Sequence, residues 1–107
     1  MDSKKLIDEL YFCAAQCNHC YNACQIDKEK DTLQRCMMFD KDCEDICRLT
    51  AQVIERKSEL SDSFIKLCGE ICEKCAAECE KHAQHEHCKK CAEVCRACAE
   101  MCHQPVQ

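Results

Sequence analysis

Residues that make turns are almost missing from this chain: it has one glycine, Gly69, and one proline, Pro105, close to the C-terminal end. Sheet architectures need such residues at their reversals, so the shortage argues for helices joined by short polar connections. Tryptophan is absent as well. No apolar run approaches the ~20 residues that a membrane span requires. Positive charge is not in excess either. The net charge is −5, which disfavours a nucleic-acid backbone or an anionic membrane as the main partner. At 107 residues the expectation is a single domain, residues 1–107, large enough to bury a core without much surplus.

What is abundant is cysteine, at 16 residues, and charge, at 33% of the chain. In a secreted chain so many cysteines would read as a disulfide scaffold. The first residues, Met1-Asp2-Ser3-Lys4-Lys5 followed by Leu6-Ile7-Asp8-Glu9, hold no apolar segment of the kind a signal peptide needs. A chain whose signal had been removed would read the same. The expectation is a cytosolic protein whose thiols stay reduced, and a cysteine-rich cytosolic chain points to metal.

The cysteines follow one rhythm, steps of four, three and four, repeated along the chain. Cys13, Cys17, Cys20 and Cys24 form one copy. Cys68, Cys72, Cys75 and Cys79 form another, and Cys91, Cys95, Cys98 and Cys102 a third. In the fourth, Cys36, Asp40, Cys43 and Cys47, an aspartate stands in the second place. Cys88, three residues before Cys91, extends the same rhythm and completes the sixteen. Cys13 and Cys36 are 23 residues apart, as are Cys68 and Cys91, which suggests a duplicated helical hairpin.

At 100° per residue these steps keep every member within a stripe about 60° wide on one face of an α-helix. On a strand they would scatter over both faces. Each copy therefore predicts an amphipathic helix whose buried seam is sulfur. Helices are expected over about 3–26, 31–57, 62–82 and 86–103. Ser3 would cap the first, Asp31 or Thr32 the second, and Ser61-Asp62-Ser63 would open the third. Short connections make neighbours antiparallel, so the fold class is all-α: an antiparallel up-down-up-down four-helix bundle with a cysteine-lined core.

Its two ends differ. Leu6, Leu10, Thr50, Ile54 and Ile65 continue the seams at the end that holds the chain termini, and cap it with apolar packing. At the other end the third seam runs on to His82, with His85, His87 and Cys88 after it and Met37 and Met38 nearby. These soft and borderline ligands suggest a metal entrance; the alternative is a solvated loop that contains histidines. His19 lies off its stripe and is expected on the surface, and His103 has no assignment. Asp40 takes a cysteine's place, so its carboxylate points inward, where it must find a metal, a hydrogen-bond donor or water. It serves as a ligand or lies beside one, or else makes a structural hydrogen bond.

Thiolate selects copper(I), zinc or iron–sulfur clusters. Tetrahedral zinc and four-iron clusters each use four ligands, so sixteen cysteines would hold about four such centres. Discrete centres would leave apolar residues between them, whereas sulfur here runs unbroken for about 16 Å per helix. Two- or three-coordinate copper(I) with bridging thiolates fits a continuous lining, at roughly one ion per sulfur. A zinc-stabilised helical interaction module is the alternative. A thiol redox protein is a weaker one, because Cys-x-x-Cys pairs such as Cys17/Cys20 lack a βαβ context. Cysteines three or four apart on a helix also point apart, which makes poor disulfides.

The repeated Cys-x-x-x-Cys-x-x-Cys-x-x-x-Cys helices, the Cys36-x-x-x-Asp40-x-x-Cys43 variant and the segment His82-x-x-His85-x-His87-Cys88 resemble the bacterial four-helix-bundle copper storage proteins, and their cytosolic branch in particular. The resemblance covers nearly the whole chain. It implies a homotetramer of bundles, each holding many copper(I) ions on core cysteines, loaded through the histidine-bearing end. The secreted branch carries an export signal and a Met-rich mouth; Met1–Glu9 hold no apolar segment of the first kind, so the cytosolic branch is the expectation, and Met37 and Met38 are a weak form of the second. The activity expected is binding, not turnover. The apo bundle should fold without metal, because buried free cysteine behaves as a small hydrophobe.

Overall fold

The computed structural model describes residues 2–104. Four helices follow one another: α1 (Ser3–Gln25), α2 (Gln34–Glu55), α3 (Ser61–Glu80) and α4 (Glu86–Cys102). A single 3-10 turn, Lys30–Leu33, leads into α2. Each helix packs against two others in a closed square, α1 on α2 and α4, and α3 on α2 and α4. The result is an antiparallel bundle 44 Å long and 18–19 Å across. No strand occurs among the described residues.

The local starts and stops depart from expectation at three points. Asp2, not Ser3, caps α1: its carboxylate accepts from the Lys4 N–H at 3.1 Å, which draws Ser3 into the first turn. Neither Asp31 nor Thr32 caps α2. The Thr32 hydroxyl donates to the Glu29 carbonyl instead, and the 3-10 turn feeds directly into the helix through Leu33. Leu33 is fully buried, so apolar anchoring replaces the cap. The third helix ends at Glu80, and His82 belongs to the turn that follows.

Helix α2 stops in a Schellman motif. The Ser58 N–H donates to the Val53 carbonyl at 2.9 Å and the Lys57 N–H to that of Ile54 at 3.0 Å. Lys57 takes φ 56°, the left-handed position that glycine would occupy at least cost. The one glycine is used elsewhere. Gly69 lies where α4 ends against α3, and a Cβ there would stand 2.8 Å from His103 Cε1.

The stripes meet along the bundle axis. All sixteen cysteines are buried, fifteen of them fully and Cys102 at 5% exposure. At the terminal end Leu6, Leu10, Thr50 and Ile65 are buried and Ile54 packs against them, closing the tube with carbon. The opposite end is formed by the α1–α2 and α3–α4 connections.

Candidate metal centre

Antiparallel helices interleave their stripes, so each thiol meets thiols from other helices. Near the closed end Cys47 lies 3.7 Å from both Cys68 and Cys72, and Cys102 is packed near Cys68 and Cys98. Midway, Cys95 comes within 3.6 Å of Cys17 and 3.9 Å of Cys13 and Cys43, while Cys43 and Cys72 stand 3.6 Å apart. Cys91 links Cys17 and Cys95, each at 3.9 Å. Towards the open end Cys36 lies 3.2 Å from Cys79 and 3.9 Å from Cys88. Groups of four donors overlap through shared members: Cys13, Cys43, Cys47 and Cys72; Cys13, Cys17, Cys43 and Cys95; Cys17, Cys75, Cys91 and Cys95. A metal–thiolate bond of about 2.3 Å sets trigonal sulfurs about 4 Å apart, so a metal ion fits among these thiols with small side-chain shifts.

The lining is one continuous network, not a row of separate pockets. All sixteen thiols are free. Hydrogen bonds between sulfurs push some of these thiols up, Cys17 and Cys95 among them, and others down, such as Cys13 and Cys36, while burial raises all four. Burial therefore disfavours an unpaired thiolate throughout the chamber, and a soft cation that replaces the protons relieves that cost.

Asp40 is completely buried among these thiols. Its Oδ1 accepts from Cys91 at 3.4 Å, Cys75 at 3.5 Å and Cys79 at 3.7 Å. Its Oδ2 has no partner. Burial first, and then the neighbouring Cys91, Cys36 and Cys75 sulfurs, push the carboxyl up to about 11. With Cys20, Cys79 and Cys91 it forms another four-donor group.

The three histidines of the open end separate. His87 turns inward, its Nδ1 lying 3.6 Å from Cys20, 3.8 Å from Cys24 and 3.5 Å from Cys88. His85 stays at the mouth, with Nδ1 3.0 Å from Asp27 Oδ2. His82 leaves the seam and bonds Glu78 at 3.1 Å. There Arg35 and Lys81 also reach the same carboxylate, at 3.0 and 3.4 Å. Burial would raise the Glu78 carboxyl, but hydrogen bonds from His82, Lys81 and Arg35 outweigh it and hold it low. The seam cannot carry His82 inward because the helix has already ended. Met37 is buried in the same core cluster as the cysteines, whereas Met38 is exposed.

Similarity to known proteins matches this arrangement. The model of the copper storage protein family matches residues 1–107. The chain belongs to the copper storage protein family. A cysteine-rich protein of Bacillus subtilis strain 168, YhjQ, is 37% identical over 86 residues, which span 80% of this chain and 79% of that protein. The apo form of copper storage protein 3 from Bacillus subtilis superposes with a TM-score of 0.88 at 37% identity, covering 94% of this chain and 95% of its own. A cytosolic copper storage protein from Streptomyces lividans, in a structure with five coppers, gives 0.90 at 35% identity, covering 94% of this chain and 88% of that one.

Two features of this copper storage protein family member escaped the sequence reading. Asp27 sits in a connection that reads as merely polar, yet it faces both His85 and His87. Leu33 looks like one more residue at the start of a helix, yet it is fully buried at the open end. The available signal for Asp27 was the topology, since the first and third connections share one end of the bundle. His19 is exposed, and His103 pairs with Glu73 at the closed end.

Proposed function

We propose that this protein stores copper(I), many ions per chain, on the thiolates that line its bundle. The observation that carries this is the unbroken sulfur network, in which neighbouring four-donor groups share members. Discrete zinc sites would not need shared thiols. Soft two- and three-coordinate ions bridged by sulfur do, and a copper(I)-bound form of the Bacillus relative and a Streptomyces relative loaded with 10 copper equivalents support the same reading.

The ligands are the sixteen cysteines, joined by Asp40 within the chamber and His87 at its mouth. His85 stands outside them as the first donor an arriving ion meets. His82 contributes by orienting Glu78 and not by ligation. Each incoming ion displaces thiol protons, so loading releases acid and weakens as pH falls. The apolar plug around Leu6 and Leu10 leaves the histidine end as the route in and out. The whole chain acts as one such unit, binding without turnover, in the cytosol as the Streptomyces relative does, and assembles into homo-oligomers of four.

Anaerobic titration with copper(I) against a competing chelator tests this. Storage predicts saturation near one ion per thiolate. A plateau near four ions per chain would instead support separate tetrahedral centres.

A further inference from the structure

The open end carries a second donor set, of nitrogen and oxygen, that has only His87 in common with the thiol chamber. Asp27 Oδ2, from the α1–α2 connection, lies 3.0 Å from His85 Nδ1 and 3.3 Å from His87 Nε2, both supplied by the segment that opens α4. The two imidazole centroids are 5.6 Å apart. Metal bonds of 2.0–2.1 Å to nitrogen and oxygen place tetrahedral ligands about 3.3–3.4 Å apart, close to these spacings. The three side chains are only 12–16% exposed, so they are held in place but can be reached from outside.

Two further observations point to a cation. His85 Nε2 is buried without an aligned hydrogen bond, although Glu29 Oε1 lies 2.9 Å away. A metal on Nδ1 would fix the proton on Nε2, and a small turn of the exposed Glu29 side chain would then let it accept, the carboxylate–histidine–metal arrangement of zinc sites. The Asp27 carboxyl is also ready to ligate. Its Oδ1 accepts the Glu29 N–H at 2.8 Å, which holds the carboxylate with Oδ2 turned to both rings.

We propose that Asp27, His85 and His87 bind one divalent cation of the borderline class, Zn2+ or Co2+, in a site that shares His87 with the outermost thiol group. Copper(I) is softer and goes to sulfur, whereas two imidazoles and a carboxylate suit a dication that retains water as its fourth ligand. The ring couples the two sites. Its Nδ1 faces Cys20, Cys24 and Cys88 while its Nε2 faces Asp27, and a neutral imidazole offers only one free lone pair. A dication on Nε2 puts the proton on Nδ1 and denies that nitrogen to copper(I). It also ties the two connections together across the mouth. The site stands on its own geometry; the competition rests on the copper(I) storage reading.

The test is an anaerobic Co2+ titration of the reduced apo protein at about pH 6.5, where buried thiols keep their protons while the carboxylate is ionised. The expected result is about one Co2+ per chain, with weak ligand-field bands and no sulfur-to-cobalt charge transfer. Asp27→Asn and His85→Ala should each weaken binding at least tenfold, with helicity by circular dichroism unchanged. His103→Ala, at the opposite end, should bind as wild type. Filling the chamber with copper(I) should then expel the Co2+. Charge transfer from the first equivalent, wild-type affinity in Asp27→Asn, or Co2+ retained in copper-filled protein would overturn the proposal. A copper(I) count on untreated wild type, run in parallel, separates this outcome from a failure of storage itself.

Discussion

Replacing Asp40 by asparagine should stabilise the metal-free bundle, by an amount that grows with pH. In the folded chain the carboxyl is buried, accepts only weak S–H donors and is pushed up to about 11, whereas an unfolded chain ionises it near 3.8. Because the folded value is the raised one, this group's stabilising contribution is complete below the unfolded value. It is lost as pH rises from there towards the folded value. Between pH 5 and 7 the native state holds one proton that the unfolded state does not, which costs about 1.4 kcal/mol of stability per pH unit. At pH 7 the accumulated cost is about 4 kcal/mol. Asparagine keeps the size and the acceptor but does not titrate. Denaturant unfolding of both apo proteins, in reductant at pH 5, 6 and 7, gives the comparison. The stability difference should widen by close to 3 kcal/mol across that range, other titrations cancelling between the two proteins. A difference that stays flat would mean that the folded carboxyl ionises normally, and the dry, thiol-bound picture of Asp40 would be wrong.

Other expectations are simpler. Lys57→Gly should raise stability by about 1 kcal/mol, read from the urea midpoint, because the left-handed φ at the end of α2 no longer opposes a side chain. Leu10→Ala, at a fully buried position in the plug, should cost roughly 2–5 kcal/mol while leaving the copper(I) count unchanged. Asp2→Ala should cost about 1 kcal/mol through loss of the α1 cap, seen as a lower melting temperature of the apo protein. Copper(I) loading in weak buffer with a pH indicator should release about one proton for each thiol that becomes a ligand, and loading without acid release would contradict a protonated apo core.

The architecture was legible because the 4/3 rhythm admits only one backbone. Every cysteine placed on a stripe by spacing is buried in the tube, and the apolar continuation through Leu6, Leu10 and Ile65 does close the end predicted for it. The alternation of connections told the two ends apart. What periodicity could not reach lies where helices stop. Ser3 and Asp2 are both good caps by composition, and only backbone direction chooses between them. His82 keeps the helical spacing on paper, but the helix ends at Glu80, so the extrapolated stripe no longer exists there. Asp27 gains its meaning from a segment 60 residues away, a contact that no local pattern encodes.

The carbon plug around Leu6, Leu10 and Ile65 makes the bundle a dead-end channel. Cargo laid down first beside Cys68 and Cys102 would then be the last to leave, like the bottom plate of a stack. Withdrawal should therefore slow as the reserve runs down, with the final ions behaving as a hoard that only prolonged starvation can draw upon.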